Sequence, residues 1–248
     1  MHGEGPLIAA NGFSSQADVL IETRRAADLL GATKMDRPED FEAHPATHKV
    51  YLLLTNNNRR KPEQADPANP RADNKFGHII EMSAPDGDHA AARFTWDILL
   101  RCGNPAIAAV GATFNPATTK DGWFGMPDNC AIDHLGRLWI ATDGNSARAT
   151  GRTDGVWALE TEGERRATSR LFFRCPVGAE LCGPCFTPDD ETLFVAIQHP
   201  GEAPETDDGG AAATFENPAT RWPDFDPAMP PRPSLVAITR KGGGKIAV

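Results

Sequence analysis

The densest group of chemically capable side chains is Met35-Asp36-Arg37-Pro38-Glu39-Asp40. Arg37 carries a planar guanidinium fork that matches the oxygens of a phosphate. Pro38 stiffens the link, so Arg37 and Glu39 hold a fixed relation. Glu39 and Asp40 offer oxygen donors suited to a hard metal ion. The same residues also read as a solvated turn with a local salt bridge. A second group, Pro127-Asp128-Asn129, precedes a predicted strand and lacks the glycine spacing of an EF-hand. Asp128 and Asn129 can be metal ligands, or they can make an Asx-turn that starts the strand. A third group, Gln198-His199-Pro200-Gly201-Glu202, directly follows a strand. Its His and Glu can share a metal or act as acid and base, or the segment is a strand end with a Pro-Gly turn. The run Asn56-Asn57-Asn58-Arg59-Arg60 also follows a strand. Its amides can coordinate calcium or cap turns, and its arginines can hold phosphate.

These groups recur in a pattern. Met126 to Gly144 reads MPDNCAIDHLGRLWIATDG: a polar cluster, a turn at His134-Leu135-Gly136, the β-run Leu138-Trp139-Ile140-Ala141, then polar Thr142 and Asp143. A second copy runs from Gly183-Pro184-Cys185-Phe186-Thr187-Pro188-Asp189-Asp190 through Leu193-Phe194-Val195-Ala196 to Gln198-His199. In this copy Asp189-Asp190 reads as the hairpin turn itself. A weaker copy upstream joins Arg37-Pro38-Glu39-Asp40, Val50-Tyr51-Leu52-Leu53 and Thr55-Asn56-Asn57-Asn58. Repeats of this kind suggest β-propeller blades, with oxygen donors gathered at a common face.

The elements that must position these groups are mostly short strands. Val50–Thr55, Phe76–Met82, Ala91–Leu100, Leu138–Ala141, Gly155–Leu159, Arg170–Phe173, Leu193–Ala196 and Ser234–Arg240 carry β-patterns. Pro85 to Asp88 reads as a hairpin turn, and Ala32 to Pro45 as a loop. One helical pattern spans Ser14 to Gly31, with Gly31 as a C-cap. Residues 1–13 read as an irregular start, and 201–233 as a long surface loop, mobile by composition. Counting generously, about nine or ten strands are predicted, enough for two to three blades, whereas a closed ring needs at least about four. The fold expected is all-β and propeller-like, an incomplete set of blades with one N-terminal helix, all 248 residues belonging to one propeller domain.

Composition narrows the function. The net charge of −9 argues against a general nucleic-acid binder but leaves room for a small phosphoester beside bound cations. No run is long and apolar enough for a membrane span, and the start MHGEGPLIAANGF predicts no signal peptide. The five cysteines argue against a disulfide-framed module. Cys182-Gly183-Pro184-Cys185 matches a thioredoxin motif in letters, but the residues after it break any helix, so redox chemistry is not expected. No phosphate-binding glycine loop, serine-nucleophile elbow or zincin helix is present.

In order along nearly the whole chain, GFSSQADVLIETRRAADLLGATKMDRPEDFEAHP, VYLLLTNNNRR, ANPRADNKFGHIIEM, FTWDILLRCGNP, MPDNCAIDHLGRLWIATDG, PVGAELCGPCFTPDDETLFVAIQHPGE and RPSLVAITRKGGGKI resemble the PhoX family of secreted bacterial alkaline phosphatases. The chain looks like the C-terminal portion of that family. The resemblance implies a β-propeller phosphomonoesterase that uses ferric iron and calcium. It implies export in the folded state by the twin-arginine route, to the periplasm or outside the cell. The family's phosphate-binding arginine falls on Arg37, and the metal-cluster glutamate of the same motif on Glu39. The acid of the P-D-N motif falls on Asp128, a metal ligand. The same carry-over reaches Glu202 and Asn129 as metal ligands, Asn58 as a substrate contact, and Glu180.

Family members are longer. Their N-terminal blades, export signal, iron-binding cysteine and further acidic ligands match nothing in these residues. The sequence therefore predicts a phosphatase fragment, with a missing N-terminal half as a partner. Two other readings stand beside it: a calcium-binding propeller fragment without turnover, and a calcium-dependent lactonase-like hydrolase.

Overall fold

The computed structural model describes residues 1–203 and 212–246. The chain divides into two compact units, Met1–Met35 and Asp36–Val248. In the first, the predicted helix is two: α1 (Gln16–Ile21) and α2 (Thr23–Leu30). They part at Glu22, whose φ/ψ of −96/35 leaves the helical region. A capping box starts α1, with Ser15 and Asp18 satisfying each other's backbone N–H groups. Gly31, at φ 67, ends α2 in the left-handed conformation that only glycine adopts freely. Leu7, Phe13 and Ala26 form this unit's small core.

The second unit is built from antiparallel meanders. Among the described residues, β1 (Pro38–Ala43), β2 (Val50–Leu54), β3 (His78–Ser83) and β4 (Thr95–Arg101) make one sheet in chain order. β5 (Pro127–Ile132), β6 (Leu138–Thr142), β7 (Gly155–Leu159) and β8 (Ser169–Arg174) make the next. β9 (Glu180–Phe186), β10 (Thr192–Gln198) and β11 (Ser234–Thr239) make a third. Among the described residues these are three propeller-like blades, the incomplete set that the strand count predicted. The predicted loop at 201–233 carries no helix or strand over 212–233, and 204–211 lie outside the described residues.

Strand periodicity explains the packing. Side chains alternate between faces, so a central blade buries both. Leu138 and Ile140 of β6 join Tyr51, Leu53, Ile79 and Leu100 of the first blade in one core, with Trp157 fully buried among them. Trp139 and Ala141, on the opposite face of β6, join Leu181, Leu193, Val195 and Ile197 of the third blade in another. Each such side chain contributes roughly 1.5–3 kcal/mol by leaving water.

Three segments differ from the sequence expectation. The acidic stretch after Arg37 is strand β1 rather than loop, Pro127-Asp128-Asn129 lies within β5 rather than ahead of a strand, and Gly183-Pro184-Cys185, where no strand was predicted, lies within β9. Proline and charge hid these strands, because they are poor strand formers. Each is the first strand of its blade, and β1 lies beside β5, which lies beside β9. Each also breaks register: between Pro38 and Asp40, between Pro127 and Cys130, and, in β9, between Cys182 and Cys185. A β-bulge swings side chains off the regular face, and bulges concentrate beside functional sites. Glu39, Asp128 and Asn129 all sit in such bulges.

Candidate functional site

The bulged starts of β1, β5 and β9 bring one arginine among several carboxylates. Arg37 Nη2 lies 3.0 Å from Glu39 Oε1 and 3.5 Å from Asp143 Oδ2. The guanidinium remains half exposed. Asp128 is buried at 6% exposure. Burial, then the charges of Glu39, Asp143 and Glu180, push its carboxyl up to about 7, with Arg37 opposing them. Asp143 is raised for the same reasons, burial first and Glu180 next.

Glu180, at the head of β9, gathers three donors. Gln198 Nε2 is 2.6 Å from its Oε2, His199 Nε2 is 3.1 Å from the same atom, and Cys182 Sγ donates to Oε1 at 3.0 Å. Burial works against a charged His199, but Glu180 and Glu202 outweigh it and raise its pKa. Burial and Glu180 push the Cys182 thiol up, away from the thiolate that redox chemistry needs. All five cysteines are free, and the C-x-x-C lies in a strand.

The backbone at the site is strained. Arg37, Met126 and His199 have φ of 48, 52 and 36, and each precedes a proline. A residue before proline prefers extended backbone, so each position stores about 1–3 kcal/mol that the surrounding packing must hold. Thr55 is the clamp sequence reasoning missed. It is fully buried, and its N–H donates to Arg37 O at 3.0 Å. Its hydroxyl donates to Pro127 O at 3.0 Å and lies 3.4 Å from Asp128 Oδ1. One residue, through its backbone N–H and its hydroxyl, thus ties the Arg37 segment to the Asp128 segment. Its signal in the sequence was position alone, one residue past a β-run.

The predicted residues fall into five places. Arg37, Glu39 and Asp128 come together, joined by Asp143 and Glu180. Asn129 stands at the edge, its Oδ1 accepting from Gly183 N at 3.0 Å across to β9. Glu202 is 69% exposed and pairs with His199 Nδ1 at 3.3 Å, so Glu180 takes the inner position of the third blade. Asn58 lines a neighbouring cleft. Asp189 and Asp190 belong to the β9–β10 turn, where Thr187 Oγ1 donates to Asp189 Oδ1 at 2.6 Å.

The donor chemistry fits a hard cation: clustered carboxylate oxygens, negative charge beyond what Arg37 offsets, and an Asp128 carboxyl raised by burial and by its carboxylate neighbours. Among the described residues, no three His, Cys, Asp or Glu side chains close into a complete metal-holding group. These residues supply donors rather than a whole cage.

Propeller-like blades with a half-exposed arginine set among one buried and three partly exposed carboxylates define a candidate oxyanion and cation site. The family model for alkaline phosphatase PhoX matches residues 4–201, and the chain belongs to that family. It is similar to the solved Pseudomonas fluorescens PhoX in complex with vanadate, a transition state analogue, at 36% identity and a TM-score of 0.82. That match covers 99% of this chain and 41% of the other, so the chain spans well under half of that relative's length. No curated protein matches it.

Proposed function

We propose that this chain carries part of the active site of a metal-dependent phosphomonoesterase. The carrying observation is Arg37 held between Glu39 and Asp143, beside a buried Asp128 whose carboxylate neighbours outweigh the arginine. The likeness to a protein solved with a transition state analogue supports the phosphate reading.

In this reading Arg37 binds and orients the non-bridging phosphoryl oxygens and steadies the charge they gather in the transition state. Its guanidinium is half exposed and directed by two carboxylates, so it is both reachable and aimed. Glu39, Asp128 and Asn129 would hold cations, joined by Asp143 and Glu180, with Glu202 as an outer donor through His199. Calcium and ferric iron are the cations the family implies. When bound, such ions neutralise phosphoryl charge as Lewis acids. Thr55 keeps Arg37 and Asp128 in register, which matters because a misplacement of about 1 Å can cost a hundred-fold in rate. Asn58 contacts the substrate. The missing metal donors would come from residues outside this chain, and export by the twin-arginine route to the periplasm completes the proposal.

The test is hydrolysis of p-nitrophenyl phosphate by the purified chain with calcium and iron. Activity that chelators remove and that Arg37→Ala lacks supports the reading. Binding of calcium without turnover would favour a non-catalytic propeller, and turnover of lactones alone would favour a lactonase.

A further inference from the structure

An open cleft of about 410 Å³ lies beside the carboxylate site, lined by Asn56, Asn58, Lys75, Phe76, Met126 and Arg148 among others. Two of its walls are chain neighbours of the site. Asn56 follows Thr55, whose hydroxyl lies against Asp128. Met126 precedes Pro127, and its carbonyl accepts from Asp143 N at 3.1 Å. The cleft volume falls in the range that holds a small organic ligand, roughly 300–1,000 Å³.

Its charge is the opposite of its surroundings. The chain carries −9, and the adjoining site gathers four carboxylates around one arginine. Among the described residues the cleft lining holds two cations, Lys75 and Arg148, and no acid. Lys75 also pairs with Asp73 at 3.2 Å, with both side chains more than half exposed. An ion pair so exposed is weak and leaves the ammonium free to swing. The floor is firm. The Phe76 ring packs against Gly103 and Gly125, where a Cβ would meet ring atoms at 3.0 Å. Asn56 and Asn58 add neutral donors and acceptors.

We infer that this cleft is a subsite for the leaving group, and that it favours phosphomonoesters whose alcohol portion bears a second negative charge. The inference rests on the phosphatase reading for its orientation: the phosphoryl group at Arg37, the alcohol portion over Phe76, the second anion at Lys75 and Arg148. A carboxylate at the far end gains charge-assisted hydrogen bonds there that a hydroxyl does not.

The test compares 3-phosphoglycerate with glycerol 3-phosphate, which differ by one carboxylate, by calorimetric binding to the chelator-treated full chain. The expected result is binding of 3-phosphoglycerate about ten-fold tighter. In a Lys75→Gln, Arg148→Gln double variant that preference falls to within about two-fold, while Arg37→Ala weakens both ligands alike. Equal affinity of the wild-type chain for the two ligands would overturn the subsite, as would a preference that survives the double variant. If Arg37→Ala leaves both affinities untouched while the double variant removes the preference, the phosphate reading of Arg37 fails and the cationic subsite stands. Far-ultraviolet circular dichroism of each variant confirms that it folds.

Discussion

Asp128 and Asp154 belong to the same blade region, are both buried, and have opposite surroundings. Asp154 receives Thr142 Oγ1 at 2.6 Å, Asn145 N at 2.8 Å, Gly144 N at 2.9 Å and Asn145 Nδ2 at 3.0 Å. Burial still pushes it up to about 6, but its oxygens are satisfied by neighbours that fold with it. Asp128 has the Thr55 hydroxyl at 3.4 Å and the charges of Glu39, Asp143 and Glu180 around it. One aspartate holds the β6–β7 connection together. The other is left short of partners by the same fold. A buried carboxylate without compensation is costly, so the second is the one that calls for a ligand.

The largest effect belongs to the satisfied acid. Asp154→Ala strips hydrogen bonds from Thr142, Gly144 and Asn145 and leaves buried donors unpaired. A loss of about 3 kcal/mol or more is expected, read from the urea midpoint. A loss below about 1 kcal/mol would make the two aspartates alike.

Arg37→Ala should lower kcat/KM on p-nitrophenyl phosphate by a hundred-fold or more, about 3 kcal/mol, as loss of a charge-stabilising donor does. Stability should barely move, because the guanidinium is half exposed. A matching fall in melting temperature would place Arg37 with Asp154, as structure rather than chemistry.

Asp128→Asn should do the reverse of Asp154→Ala in the cation-free chain. A carboxyl raised in the folded state keeps its proton where the unfolded chain has lost it. Its contribution to stability is complete below about 3.8 and is lost as pH rises through about 7. The variant should therefore gain about 1–3 kcal/mol over wild type at pH 8 and nothing near pH 3. Thermal unfolding across that range checks the sign, and a variant weaker at pH 8 would refute it.

Thr55→Val should cost about 1 kcal/mol of stability and lower kcat several-fold, through misregister of Arg37 and Asp128. Thr55→Ser keeps the hydroxyl and should restore most of kcat. Equal kcat in both variants would show that the hydroxyl does not link the two segments.

The blades were legible where apolar alternation was strong. Leu138-Trp139-Ile140-Ala141 and Leu193-Phe194-Val195-Ala196 announce their strands because each buries at least one face. The strands that carry the candidate site did not announce themselves. Pro38-Glu39-Asp40, Pro127-Asp128-Asn129 and Cys182-Gly183-Pro184-Cys185 are polar or proline-broken, and they pair only because bulges absorb the misfit. The repeat did pick out Arg37, Glu39 and Asp128, which the fold brings together. The family resemblance put Glu202 ahead of Glu180, since only the fold shows that β9 begins at Glu180, less exposed than Glu202 at the surface. Asp143 and Thr55 read as ordinary strand-end polar residues, because their role is contact across blades that local sequence does not encode.

The most direct measurement is a calorimetric titration of calcium into the chelator-stripped chain at pH 7.5, for wild type and Asp128→Asn side by side. Saturable heat is expected for wild type, and its loss in the variant. Equal binding by both proteins, or none by wild type, would contradict the claim that Asp128 is left short of a partner so that a cation can supply one.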